Sequence, residues 1–233
     1  MKKAQLNQLR EGLLEVIHGP VYLAFCVFGT AQIVLSALVS ALGPSQQDPM
    51  TRGVTVFISL VSLVVPCLML WLRKTHHSGI LRGLAVYARV MYVLCWALVM
   101  AVIVLIDVIL AAPDRQRLSE ALHQTDMSAG RYILAGLEFL AIPVLLVFNH
   151  RMAGALKEAA RIMDKNAPEK AAFRPAERIA LIWAVCNAAL CVVRIATDAK
   201  WLYAPAAVQP FLLWLTFREA ANRMEGDIKP INT

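Results

Sequence analysis

The chain has 233 residues, of which 59% are hydrophobic and 17% are charged. Soluble domains average about 45–50% apolar and about 25% charged residues, so this composition excludes an ordinary water-soluble globular protein and indicates a membrane protein. The formal net charge of +7 comes without basic clusters interleaved with aromatic residues. It therefore favours attraction to anionic membrane lipid and speaks against nucleic acid as a partner.

The N-terminal segment, residues 1–19, is predicted to form an amphipathic helix on the inner membrane surface. Its apolar residues recur at helical spacing, at Leu6, Leu9, Leu13 and Val16. A cleaved signal peptide is not expected, because two lysines are followed by a polar, periodic stretch rather than by a short apolar core. The helix either leads into the first span at Gly19 and Pro20 or offers a docking surface to a partner.

Residues 20–217 are predicted to form an all-α, multi-pass membrane domain. A transmembrane helix needs about 20 mainly apolar residues, and six stretches of the chain approach that length. The six predicted spans are residues 21–43, 54–72, 90–112, 132–149, 179–197 and 202–217. The sixth is short and holds Gln209 between Pro205 and Pro210, so we expect an interrupted last helix, a feature that often marks a substrate site in transporters.

The distribution of positive charge predicts that both termini are cytoplasmic. Most of the 23 lysines and arginines fall in residues 1–19, in the loops after the second and fourth spans, and in the tail at 218–233. Short loops rich in Lys and Arg are retained on the cytoplasmic side. With its small size and short loops, the chain is expected to be a multi-pass protein of a bacterial inner (plasma) membrane.

Two of the loops are longer than the others. The cytoplasmic segment 150–178 begins with apolar residues along one helical face, at Met152, Leu156, Ala159 and Met163. This pattern predicts a helix that continues from the fourth span along the membrane surface. The longest outer loop, residues 113–131, is mixed in charge and too polar to fold alone.

The sequence predicts no cofactor and no enzymatic activity. The cysteines fall inside the predicted spans and lack metal-ligand or disulfide spacing, so we interpret them as packing residues. They are Cys26, Cys67, Cys95, Cys186 and Cys191. The histidines fall at or beyond the ends of the spans, which disfavours a haem between facing helices. No hydrolase elbow, zinc-protease or phosphate-loop motif is present.

The fifth span carries the clearest pattern of polar residues. Steps of four and three residues align one stripe along the helix, formed by Ala180, Ala184, Asn187, Cys191, Arg194 and Asp198. Small residues permit close approach between helices, so this stripe is predicted to face neighbouring helices. Ionisable side chains inside a membrane are costly and usually face the bundle interior.

A polar cluster around Arg194 is the candidate binding site. Asp107 and Glu138 are predicted to lie within roughly 5 Å of Arg194 in depth, from a rise of about 1.5 Å per residue. The full candidate cluster is Asp107, Glu138, Asn187, Arg194 and Asp198. It can serve as a structural ion-pair network, as a site for a ligand, proton or cation, or as a contact for a partner inside the membrane.

Two functions are compatible with these features. The first, favoured because few polar residues line the predicted bundle, is a non-catalytic membrane protein that binds a partner protein in a regulatory, accessory or immunity-type role. The second is an oligomeric transport subunit or permease for a small cation, a proton-coupled substrate or an exported compound. Six spans behind an interfacial helix resemble small permease subunits of ATP-driven exporters, a similarity of fold alone.

Overall fold

A computed structural model describes residues 3–42, 53, 56–57, 62–111, 129–198 and 204–225 of the chain. Within these residues the structure is all-α, with seven helices and no strand. They are α1 (Lys3–His18), α2 (Pro20–Leu42), α3 (Val64–Thr75), α4 (Ser78–Ala111), α5 (Ala129–Met163), α6 (Phe173–Asp198) and α7 (Ala204–Glu225).

Four helices are long and apolar enough to cross a membrane, which indicates a membrane protein. Their apolar stretches are Pro20–Leu38, Ser78–Val104, Gly136–Met163 and Phe173–Thr197, at the first, third, fourth and fifth predicted spans. Most of the first half of the second predicted span lies outside the described residues, and so does most of the outer loop 113–131. The sixth predicted span corresponds to α7, a 22-residue helix that is not one of these four.

The helices α2 to α7 form a closed ring in chain order. Each helix contacts the next one, and α7 packs back against α2. The starts of α2, α4 and α6 and the ends of α3, α5 and α7 contribute residues to one buried apolar core. Consecutive helices of the ring therefore run in opposite directions.

Helix α1 closes one end of this ring, which we call the α1 end. It packs against α2, α3, α5 and α7. Its buried residues are Leu9, Leu13, Val16 and Ile17. Polar contacts surround them, because Arg223 of α7 forms an ion pair with Glu15 and the Nε2 atoms of His18 and His76 lie 2.7 Å apart. The described part of the predicted amphipathic segment is thus a helix, Lys3–His18, whose apolar face contacts protein.

Helix α5 is continuous through Pro143 and extends to Met163. Residues 150–163 are therefore a direct extension of the fourth predicted span, and Ala155, Ala159, Ala160 and Ile162 on it are buried in the core. After the helix, Lys165 adopts a left-handed conformation with φ 59°. The amide of Asn166 donates to the carbonyl of Arg161, the pattern of a Schellman C-cap.

Helices α4 and α5 are also joined by polar side chains at the α1 end. Arg82 forms an ion pair with Asp164. A hydrogen bond from the Ser78 side chain, and after it the Arg82 guanidinium, lower the pKa of Asp164 against the opposing effect of burial. Asp164 therefore stays ionised and keeps the start of α4 next to the end of α5.

Candidate functional site

The structure joins two members of the predicted polar cluster. The Nη2 atom of Arg194 donates to the Oε1 atom of Glu138 across 2.6 Å. The two side chains are 40% and 45% exposed, respectively, so the pair lies at the edge of the α5–α6 contact rather than in a sealed interior. A pair of this exposure holds the two neighbouring helices in register and contributes modestly to stability.

Asp107 does not join this pair. Its side chain is exposed, and within the described residues it makes no hydrogen bond or ion pair. The reason lies in the ring, because α5 is placed between α4, which carries Asp107, and α6, which carries Arg194. The side chain of Asp198 is outside the described part of the structure.

Asn187, another member of the predicted cluster, makes a hydrogen bond to the neighbouring helix α7. Its Nδ2 atom donates to the backbone carbonyl of Ala206 in α7 over 2.9 Å. In a regular helix this carbonyl would accept from the amide of residue 210, but Pro210 has no N–H. Asn187 therefore replaces the missing helical donor from the neighbouring helix.

This hydrogen bond explains why the last helix is not interrupted. The expectation of a broken sixth span is wrong for the described residues, since α7 runs as one helix from Ala204 to Glu225 with Pro210 inside it. A backbone carbonyl without a donor is costly in an apolar environment. The side chain of Asn187 removes that cost and allows the helix to continue.

The stripe of small residues on α6 lies on the packed side of that helix. Ala180, Ala184 and Cys191 are buried, whereas Val185 and Val192 on the opposite side are 55% and 65% exposed. Small side chains at the contact let α6 approach α5 and α7 closely. The alignment of these positions was visible in the sequence because it follows the helical repeat alone.

The ring encloses a cavity of about 300 Å³ that is lined by residues of all seven described helices, which we call the ring cavity. Residues that line it, one from each helix in chain order, are Ile17, Phe25, Met69, Leu84, Phe148, Trp183 and Leu213. The cavity lies where the helices converge on α1. Sequence reasoning missed it, because apolar residues that face a central cavity and apolar residues that face lipid have the same composition.

The polar groups at the ring cavity are engaged with the protein itself. The hydroxyl of Tyr22 donates to the carbonyl of Met69 over 2.8 Å. Asn149 donates to the carbonyl of Leu145, and Thr216 to that of Leu212, both over 2.9 Å. With these donors occupied, the surface that the cavity presents to a bound molecule is mainly apolar.

Gln209 also lines the cavity, at the contact between α2 and α7. A Cβ atom added at Gly29 would lie 2.7 Å from the Nε2 atom of Gln209. Gly29 is therefore the residue that leaves space for this amide. A glycine opposite a glutamine could have indicated a polar group at the cavity. The sequence alone does not reveal this pairing, because it does not show that α2 and α7 are neighbours.

Metal and disulfide chemistry receive no support from the described residues. No group of three or more His, Cys, Asp or Glu side chains is placed to hold a metal ion among them. All five cysteines are free.

No protein-family model, curated protein sequence or solved structure matches this chain.

We predict that Asn187→Ala destabilises the protein by about 1–2 kcal/mol, because the carbonyl of Ala206 loses its donor. In a Pro210→Ala background the new amide of residue 210 can serve that carbonyl. The same Asn187→Ala change should then cost clearly less. Thermal unfolding in one detergent measures all four proteins of the cycle, and an unchanged cost in the Pro210→Ala background would contradict the assignment.

We further predict that Glu138 and Arg194 are energetically coupled. Each of Glu138→Gln and Arg194→Gln should reduce stability, and the double variant should lose less than the sum by about 0.5–1 kcal/mol. The exposure of both side chains keeps the coupling small. Asp107→Asn serves as the control, since additive behaviour is expected when it is combined with Arg194→Gln. Additivity in the Glu138 cycle would rule out the pair.

Proposed function

We propose that this chain is a non-catalytic integral membrane protein that binds an apolar small molecule in the ring cavity, as a transport subunit does with its cargo. The observation that carries this proposal is the cavity itself, about 300 Å³ in volume and lined by all seven described helices. Ligand sites in proteins have volumes of about 300–1,000 Å³ and mainly apolar linings with a few polar groups. The ring cavity has this size and this chemistry.

The chemistry of the lining favours an apolar cargo over a cation or proton. Cation sites are built largely from carboxylate and carbonyl oxygens, whereas the lining of the ring cavity contains no Asp or Glu side chain among the described residues. The negative charge of Glu138 is also compensated, because Glu138 is paired with Arg194. Of the transport substrates expected from the sequence, an exported apolar compound therefore fits best.

The proposal includes a topology of six spans with both termini in the cytoplasm of a bacterial cell, in the inner membrane. Two observations support it. Consecutive ring helices alternate in direction, as successive membrane crossings do. Cationic residues also concentrate at the α1 end, where α3, α5 and α7 finish with Arg73, Arg161 and Arg223, in agreement with retention of positive charge in the cytoplasm.

A second candidate is the binding of a partner protein, in the regulatory, accessory or immunity-type role that the sequence favoured. Helix α4 supports it, because only 11% of its apolar stretch is buried, against 28%, 33% and 22% in the other three. Along the ring it packs against α5 and, weakly, α3. Its free side carries Val93, Leu94 and Leu98, which can face lipid, a second copy or another membrane protein.

The cavity proposal predicts saturable labelling by a photoreactive apolar probe. Decanol with a diazirine group, added to the full chain in detergent, should label residues at the ring cavity, and unlabelled decanol should compete. Ala88→Phe fills part of the cavity, because Ala88 is 4% exposed and lines it. This variant should lose most of the competed labelling.

The matched control is Val86→Phe, two residues away on the outer side of α4 and 59% exposed. It adds a larger aromatic side chain to the same helix without entering the cavity, so labelling should persist. Peptides labelled by the probe are identified by mass spectrometry. If labelling is confined to outward-facing residues, or if decanol does not compete, the cavity holds no ligand of this class.

The partner candidate predicts a discrete protein adduct at the free side of α4. A photoreactive amino acid at Val93 or Leu98, introduced into the chain in native membranes, should crosslink to one protein species. Positions Val185 and Val192 on α6, which are exposed to a similar degree, provide the control and should yield lipid adducts. Lipid adducts at all four positions would exclude a stable partner on α4.

A further inference from the structure

Outside the ring, the contact between α4 and α5 holds two adjoining depressions of opposite chemistry. The first has a volume of about 500 Å³ and an apolar lining that includes Trp96, Val99, Phe139 and Leu146. The second has a volume of about 300 Å³ and a charged lining that includes Arg89, Lys157 and Lys170. Both are lined by His150 and Arg151. The two depressions therefore adjoin at these residues, and together we call them the α4–α5 groove.

The charged part of the groove has an excess of positive charge. Its lining contains the cations Arg89, Arg151, Lys157 and Lys170 and the two carboxylates Glu158 and Glu169. Both carboxylates are engaged elsewhere, because each forms an ion pair with Arg161. Glu158 also accepts from the backbone amide of Glu169 over 2.9 Å.

The four cations of the groove differ from these two carboxylates in their ion pairing. Within the described residues, none of them has an acidic side chain within salt-bridge distance. They come from both walls of the groove, with Arg89 on α4 and Arg151 on α5, and from the turn after α5, which holds Lys170. An anion that enters this part of the groove would meet positive charge from three directions.

The position of the charged part agrees with the surface of a membrane. The third and fourth predicted spans begin at residue 90 and end at residue 149, directly beside Arg89 and Arg151. On α5, the apolar part of the groove reaches from Arg151 to Phe139, twelve residues and about 18 Å along the helix. One leaflet contributes about 15 Å of hydrocarbon, so the apolar part has the depth of a single leaflet.

Aromatic residues mark the transition between the two parts. Tyr92 stands one helical turn after Arg89, and its ring lies 5.6 Å from that of His150. Trp96 follows after a further turn and is 45% exposed. Tyr and Trp are enriched at the level of lipid headgroups, because their rings are apolar and their edges are polar.

We propose that the α4–α5 groove is a specific site for an anionic glycerophospholipid, with the phosphate held by Arg89, Arg151 and Lys157 and an acyl chain lying along Trp96 and Leu146. Charge complementarity selects this occupant. A peptide helix or a second copy would bury the four cations without neutralising them, unless it carried acidic residues at the same level. Basic pockets between membrane helices on the cytoplasmic side bind such headgroups.

The test uses brominated lipids, which quench the fluorescence of a tryptophan that they contact. The full chain retains Trp96 alone, with the other tryptophans replaced by Phe, and is reconstituted in phosphatidylcholine vesicles. Dibrominated phosphatidylglycerol should quench Trp96 with at least about tenfold preference over dibrominated phosphatidylcholine, because a cation near an anionic headgroup contributes about fivefold in affinity.

Two triple variants locate the effect. The groove variant Arg89→Gln, Arg151→Gln, Lys157→Gln should lose the preference for phosphatidylglycerol. The control variant Lys74→Gln, Lys165→Gln, Arg178→Gln removes the same amount of charge from exposed positions on the same side of the bundle. This variant should keep the preference for phosphatidylglycerol. An equal loss in both variants would mean that only the overall charge matters, which overturns the proposal.

Native mass spectrometry of the chain with all of its tryptophans provides an independent measurement in case the single-tryptophan protein does not fold. One phosphatidylglycerol molecule should remain bound after delipidation, and the groove variant should release it. Absence of any preference over phosphatidylcholine in both measurements would overturn the proposal. So would a dimer crosslinked through Val99 and Val147, because a second copy would then occupy the groove.

Discussion

The packing of α1 against the converging ends of the ring helices is the contact on which the rest of the structure depends. The largest fully buried side chains, Leu72 and Ile162, lie in this region, whereas long stretches of α4 have little protein around them. Lipid solvates apolar side chains as well as protein does, so burying an apolar side chain between helices inside a membrane contributes little to the free energy of folding. Where helices extend beyond the lipid, burying apolar side chains is favourable because it removes them from water. The core therefore concentrates at the α1 end, and the ring cavity lies beside it.

A different requirement applies to the backbone, because each polar backbone group in an apolar environment has to find a partner within the protein. Pro210 has no amide N–H to donate to the carbonyl of Ala206. The side chain of Asn187 in α6 donates to this carbonyl instead, and α7 continues without a break. The intact α7 is what completes the ring, since it packs against both α6 and α2. Asn187 thus belongs to the architecture of the cavity wall, at a place where the sequence indicated a binding residue.

The ring cavity and the α4–α5 groove offer opposite surroundings to a ligand. The ring cavity is apolar, central and lined by every described helix, which suits a molecule taken out of water or lipid. The α4–α5 groove lies outside the ring and joins four cations to an apolar channel, which suits a lipid that stays in its leaflet. A bound phospholipid would shield the cations of α4 and α5 from one another and so stabilise the contact between these two helices.

The sequence by itself determined the class of protein and the position of most helices, because apolar composition and the 3.6-residue repeat are local properties of the chain. It also placed Glu138 and Arg194 in one candidate cluster, since the two residues were predicted to agree in depth within roughly 5 Å. Tertiary structure alone decided that Asp107 stands apart, that Asn187 serves a carbonyl of α7, and that a cavity exists. These features depend on the order of helices around the ring, and no periodicity within one helix encodes which neighbour it meets. The charge of Arg89 and Arg151 was visible in the chain, but their common groove arises only where α4 and α5 pack together.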